Sequence, residues 1–275
     1  MNTKLLVPTD FSEVAQSAMQ HAVKFSEIIK AEVVLLHVVS SREEVENAKE
    51  KLSKEIILGK TFSDSSSITS FVRIGNIFED IGDVAAELGI SLIFMGTHKA
   101  SRWQKLVGSR AIKVITSSPV PFIVAQEKLM NTNGYDNIVV PLDLNVETKQ
   151  KLELVAKIAH YFDSEVHLIT NDVSDEFIKT KLKANQVWAS NYLESKNINN
   201  SSHLVEQGDS LTNGIFKLSK KVDADLIAIM NLADETVLGL YENSFQEEIV
   251  ANDLKVPVLC VNPHTVTKVS GILVR

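Results

Sequence analysis

A chain of 275 residues, 44% hydrophobic and 23% charged, has the length of two domains and the composition of an ordinary soluble globular protein. No apolar run reaches the roughly 18 residues a membrane span needs, the N-terminus enters a strand-like run with no secretory signal before it, and the one cysteine, Cys260, excludes an intrachain disulfide. A cytoplasmic protein is expected. The net charge of −7 is uneven: up to residue 128 there are 15 Lys and Arg against 15 Asp and Glu, which leaves 13 against 20 in the remainder. So acidic a second half argues against a nucleic-acid surface.

In chain order, the first half alternates short β-branched runs with longer amphipathic stretches, the pattern of βα units on a parallel sheet. Strands are predicted at 4–8, 33–39, 68–73, 91–96 and 121–125, and helices at 12–30, 42–59, 77–88 and 105–117. Ala15, Ala18, Met19, Ala22, Val23 and Phe25 form the apolar stripe of the first helix, and Ser12 with Asp10 upstream offers N-cap chemistry. A turn-rich linker follows over 126–135. The order then repeats, with strands at 137–141, 165–170, 202–206, 225–230 and 257–261 and helices at 146–162, 174–195, 210–222 and 244–253.

The repetition is residue by residue. Lys4-Leu5-Leu6-Val7-Pro8-Thr9-Asp10 recurs as Asn137-Ile138-Val139-Val140-Pro141-Leu142-Asp143, at an offset of 133. Val33 to His37 recur as Val166 to Thr170, and Gly75 as Gly208, at the same offset. A period this long lies far outside the roughly 20–50 residues of solenoid repeats. It marks a duplicated domain, over 1–128 and 136–263, with a tail over 264–275. The tail ends in Gly271-Ile272-Leu273-Val274-Arg275, and an added edge strand, a crossing to a partner chain and frayed disorder are all open for it.

In an open parallel sheet, ligands sit beyond the carboxyl ends of the strands. Three first-half segments converge there: Pro8-Thr9-Asp10-Phe11-Ser12, His37-Val38-Val39, and the stretch from Met95 to Arg110. In the third, Gly96 permits close backbone approach. Gly108-Ser109 opens a helix whose free N–H groups attract anions, and Lys99, Arg102, Lys105 and Arg110 add positive charge. The bland alternative is a solvated cationic loop with Asp10 capping the first helix. Trp103 reads as a loop anchor rather than a base-stacking ring. Trp188 and Tyr192, at i and i+4, read as core or interface packing, and Cys260 as an inert buried thiol. The seven His show no metal-ligand spacing, and neither a Gly-x-Ser-x-Gly elbow nor a Walker loop is present.

Together Val7-Pro8-Thr9-Asp10-Phe11-Ser12, Leu35-Leu36-His37-Val38, Arg73-Ile74-Gly75-Asn76, Leu92-Ile93-Phe94-Met95-Gly96-Thr97-His98, Gly108-Ser109 and Ser118-Pro119-Val120-Pro121-Phe122-Ile123-Val124 resemble the universal stress protein family, and the likeness runs from Lys4 to Asn262. The resemblance implies two tandem doubly wound, Rossmann-like α/β domains of five strands each, in the order 3-2-1-4-5, pairing of domains through their last strands, possible homodimers, and a role in stress survival. ATP-binding members carry Gly-x2-Gly-x9-Gly-Ser/Thr. The resemblance then puts the adenosine of ATP or AMP on Asp10 and the Val38 backbone, with Gly96, Thr97, Gly108, Ser109 and Arg110 around the phosphates and their magnesium. No metal-binding or catalytic residue is assigned. With no evident general base, slow ATP hydrolysis is the most to expect.

The chain departs from that motif. Lys99 stands at the second glycine, and 8 residues rather than nine precede Gly108. In the second half Asn231 and Asn243-Ser244 replace the glycine positions, Asp234, Glu235 and Glu242 crowd the loop, and no Lys or Arg occurs from 222 to 254. Such a loop repels polyphosphate. A nucleotide sensor in the first half is therefore expected, with the second half as partner domain. The alternative is a dimerising module that binds an unknown protein and no nucleotide.

Overall fold

The computed structural model describes residues 3–97, 118–144, 149–230 and 245–263, apart from the side chains of Phe78 and Glu79. The chain divides into two compact units, one over Met1–Met130 and one from Asn131 onward.

In the first unit the described elements are β1 (Lys4–Pro8), α1 (Glu13–Ile29), β2 (Glu32–Val39), a short 3₁₀ turn (Arg42–Glu44), α2 (Val45–Phe62), β3 (Ser67–Ile74), α3 (Ile77–Leu88), β4 (Leu92–Gly96) and β5 (Phe122–Ala125). The strands are ordered β3-β2-β1-β4-β5 and every pair is parallel, with Leu6 beside Val34 on one side and Ile93 on the other. Parallel strands covered on both faces must be apolar throughout. Leu5, Leu6, Val7, Val33, Leu35, Leu36, Ile93 and Phe94 are accordingly all buried.

Helix α1 shows why these residues form these elements. Ser12 is its N-cap and accepts from the Ala15 N–H at 3.4 Å, which satisfies a donor the first turn leaves orphaned. Its face of Ala15, Ala18, Met19, Ala22 and Val23 is buried. It stops at Lys30, whose φ of 57° is left-handed and whose N–H returns to the Ser26 carbonyl.

The second unit repeats the design. It holds β6 (Asn137–Pro141), α4 (Lys151–Phe162), β7 (Glu165–Thr170), α5 (Glu176–Glu194), β8 (Asn200–Leu204), α6 (Leu211–Lys221), β9 (Leu226–Met230), α7 (Phe245–Val250) and β10 (Val258–Val261). Its order is β8-β7-β6-β9-β10, again all parallel. Helix α4 ends at Asp163, left-handed at φ 53°, which is 133 residues beyond Lys30. The doubly wound order expected from the sequence is thus present in both units.

Most expected boundaries hold to a residue or two, but α2 runs on to Phe62 rather than 59, α7 stops at Val250 rather than 253, and three further differences stand out. Helix α2 starts at Val45 because Arg42–Glu44 turn more tightly. The strand expected at 202–206 runs over Asn200–Leu204. Its polar start is drawn into the sheet by His167, whose Nδ1 meets Ser201 Oγ at 2.8 Å. Described helix α4 begins at Lys151, and residues 146–148 of the expected helix lie outside the described residues. The helix expected at 105–117 and the tail over 264–275 lie outside them too.

Candidate functional site

The crevice of a doubly wound sheet opens where the chain reverses its direction of travel across the sheet. In the first unit that point lies between β1 and β4, which pair side by side through Leu5 with Leu92 and Leu6 with Ile93. The segment leaving β1 is tightly bound up. Thr9 N–H donates to the Leu36 carbonyl at 2.8 Å, Thr9 Oγ1 accepts from the Phe11 N–H at 2.9 Å, and His37 Nδ1–H donates to the Thr9 carbonyl at 2.7 Å. Phe11 sits at φ 67°, a region a bulky residue enters at a cost of about 1–2 kcal/mol. Such strain persists where surroundings enforce it, characteristically at ligand sites.

The consequence is a partly exposed platform that the sequence alone did not reveal. The rings of Phe11 and His37 lie 4.4 Å apart at 42°, and Lys51 Nζ stands 5.4 Å from the Phe11 ring centre. The neighbouring Asp10 is exposed. Its Oδ1 accepts both the Ser12 N–H at 3.0 Å and the Ser12 hydroxyl at 2.5 Å. Asp10 therefore holds the N-cap serine in place, and a carboxylate with four acceptor sites retains acceptor capacity on Oδ2.

On the facing side, β4 ends at Gly96. A Cβ on Gly96 would lie 2.3 Å from the Val14 carbonyl oxygen and 2.7 Å from the Ala15 nitrogen. The glycine is thus required because the strand end touches the backbone of α1, a packing reason beside the ligand-approach reason read from sequence. Thr97 is buried, and its N–H is already spent on the Ala125 carbonyl at 2.9 Å. Val38 lies half-buried near the end of β2, paired with Arg73. The structure therefore brings Asp10, Gly96 and Thr97 to the ends of adjacent strands, with Val38 one strand further out. Lys99, Gly108, Ser109 and Arg110, like Asn231 to Ser244 in the second half, lie outside the described residues.

In the second unit the residue matching Asp10 is buried. Leu142 N–H donates to the Ile169 carbonyl at 2.8 Å, as Thr9 does to Leu36. Asp143, the counterpart of Asp10, is however only 3% exposed, and its carbonyl accepts from Asn185 Nδ2 at 2.8 Å. Behind it Lys151 is 1% exposed, and its Nζ donates to the Pro141 carbonyl at 2.5 Å. Burial pushes the Lys151 amine down to about 8, against the attraction of Asp143. At the equivalent place the first unit has Ala18, fully buried.

One further polar constellation went unread in the sequence. His167 Nδ1 meets Ser201 Oγ at 2.8 Å and its Nε2 meets Asn137 Oδ1 at 3.0 Å, and Ser201 Oγ meets His203 Nε2 at 3.0 Å. Burial, first among the causes, lowers both imidazoles. Asn137 opens β6 and Ser201 stands near the start of β8, so the network lies toward the end of the sheet opposite the ligand edge. It satisfies buried polar groups, where the first unit has Val34 in place of His167.

Comparison with known proteins agrees with this geometry. The model of the Universal stress protein family matches residues 1–126. Universal stress protein MJ0577 of Methanocaldococcus jannaschii is 31% identical over 157 residues, an alignment spanning 46% of this chain and 97% of that protein. The crystal structure of a universal stress protein from Archaeoglobus fulgidus DSM 4304 superposes with a TM-score of 0.74 at 18% identity, covering 94% of this chain and 98% of that one. A functionally unknown protein from Pseudomonas aeruginosa PAO1 does so at 0.66 and 15% identity, over 98% and 95%. The last two are likenesses of fold.

Proposed function

Because this chain belongs to the universal stress protein family, we propose that it is a stress-response sensor that holds one adenine nucleotide, ATP or AMP, in its N-terminal domain. The observation that carries this reading is the contrast between two equivalent carboxylates: Asp10 is exposed, whereas Asp143 is buried in front of the Lys151 amine. Asp10 is available to hydroxyl or amino donors of a ribose or base. Asp143 faces an internal cation that does the work a ligand would do.

In this reading the adenosine lies over the end of β1. Asp10 Oδ2 and the Val38 backbone accept its donors, and the Phe11–His37 platform offers a ring face, whose stacking supplies about 0.5–1.5 kcal/mol beyond area burial. The phosphates, with magnesium, extend toward Gly96, Thr97, Gly108, Ser109 and Arg110. The two domains are taken as 1–128 and 136–263, the second serving as partner to the first, and 264–275 as a tail. The protein acts in the cytoplasm, as a dimer, through conformation or partner choice. Among the described residues no helix is long and apolar enough to cross a membrane.

Thermal melts test this reading. ATP, ADP or AMP at millimolar concentration should raise Tm by mass action on the folded state, and Asp10→Ala should remove the rise. Failure of all three nucleotides to protect the fold would refute it.

A further inference from the structure

Beyond the nucleotide reading and independent of it, we propose that a cavity between α4 and α5 in the second unit binds a small aromatic anion, a single planar ring carrying a carboxylate or a phosphate. The cavity measures about 550 Å³, within the range of sites that enclose small molecules.

The duplication shows how it arises. In the first unit the corresponding helices close directly on each other. A Cβ on Gly59 of α2 would lie 3.4 Å from Met19 Sδ and 3.8 Å from Val23 Cγ2 of α1, so nothing stands between them. In the second unit Val23 is replaced, 133 residues on, by Ala156, and α5 brings Tyr192 to the same cavity wall. A smaller residue on one helix and an aromatic one on the other hold the pair apart. Ala156 forms the floor, and Tyr161 and Tyr192 are ring walls.

The walls select a flat ring, and the rim selects its charge. The Trp188 ring stacks on Tyr192 at 5.6 Å and 11°. Trp188 remains 41% exposed, so of the core and interface positions expected for this pair the core is excluded and a surface one is left. Lys149 Nζ stands 4.7 Å from the Trp188 ring and Lys196 Nζ 5.9 Å from that of Tyr192. Glu153 is already matched by Lys157 at 2.7 Å. Among the described residues that line the cavity, Lys196 is thus the charge left over, positive in a chain whose net charge is −7, and Lys149 stands behind the wall at the Trp188 ring. Burial, and then the charge of Glu153, raise the Tyr192 phenol, so it stays a hydrogen-bond donor at neutral pH. A neutral ring would leave the Lys196 ammonium unmatched, and an inorganic anion would leave the aromatic walls bare.

The test uses the full chain carrying Trp103→Phe, which leaves Trp188 as its one tryptophan of two. Its emission is titrated with benzoate and phenyl phosphate, against benzyl alcohol and inorganic phosphate as probes lacking the charge or the ring. A saturable change with one equivalent of benzoate or phenyl phosphate is expected, at least tenfold tighter than with either control, and the tighter of the two anions identifies a carboxylate or a phosphate ligand. Lys196→Gln, an exposed change that spares the fold, should weaken binding at least fivefold, and Ala156→Leu should fill the floor and abolish it. Benzyl alcohol binding as tightly as benzoate, inorganic phosphate competing as well as phenyl phosphate, or an unchanged affinity in Lys196→Gln would overturn the proposal.

Discussion

Lys151 Nζ donates to the Pro141 carbonyl at 2.5 Å, in the place where Ala18 fills the first unit. The second unit thereby carries a buried amine behind Asp143, and burying it has a cost that depends on pH. The amine titrates at about 8 in the folded chain against 10.5 for an ordinary lysine. A lowered amine pKa means that the charged form is disfavoured by folding, so the contribution to stability is full above pH 10.5 and is lost as pH falls through 8. The difference amounts to about 3 kcal/mol. Urea melts of the wild type and Lys151→Met from pH 7 to 10.5 should show the wild type gaining on the variant as pH rises. Cys260, whose thiol burial pushes up to about 12, is common to both chains and cancels in the difference.

His21 works on the acid side. It is 1% exposed, its Nε2–H donates to the Lys128 carbonyl at 2.9 Å, and burial lowers it from 6.5 to about 4. Here too the folded pKa is depressed, so stability is intact above pH 6.5 and is lost as pH falls toward 4, by about 3 kcal/mol. His21→Gln keeps an N–H donor without titrating. Denaturant melts from pH 7 to 4 should show a shallower fall for the variant, and parallel curves would contradict the assignment.

Gly96→Ala separates packing from ligand approach. With the added Cβ only 2.3 Å from the Val14 carbonyl oxygen, β4 and α1 must move apart, at a cost of about 2–3 kcal/mol. Thermal denaturation without nucleotide should therefore already show the loss. A variant as stable as wild type would mean that this contact is not tight.

The segment after β5 is tied to α1 by three neighbouring side chains: His21 holds the Lys128 carbonyl, Lys24 Nζ donates to the Met130 carbonyl at 3.2 Å, and Gln20 grips Met130 twice. Gln20 donates to the Met130 carbonyl at 3.2 Å and accepts from the Met130 N–H at 3.0 Å, all buried. Gln20→Ala leaves the Met130 N–H without this partner, while the carbonyl keeps Lys24, which should cost about 1–2 kcal/mol and speed proteolytic nicking across 126–135. Chemical denaturation with limited proteolysis measures both.

The strands were readable because buried parallel strands have little choice of residue: Leu5, Leu6 and Val7 or Ile138, Val139 and Val140 can be nothing but core. The order of strands followed from the repeat and the family resemblance. What was not readable depends on depth and contact. Gly96 reads alike whether it faces a ligand or the Val14 backbone. Asp10 and Asp143 are the same residue in the same motif, and only the fold shows that one is exposed and the other buried within reach of the Lys151 charge. The Asn137–His167–Ser201–His203 network pairs side chains from three strands, a relation no local pattern carries, and it displaced the expected start of β8 by two residues.

The asymmetry between the two carboxylates is tested most directly by equilibrium dialysis of labelled ATP with magnesium against the whole chain, its Asp10→Ala variant and its Asp143→Ala variant. One ATP per chain is expected, weakened at least tenfold by Asp10→Ala and left at one per chain by Asp143→Ala, provided that variant remains folded by circular dichroism. Two ATP per chain, none, or a single site that survives Asp10→Ala unchanged would contradict the account.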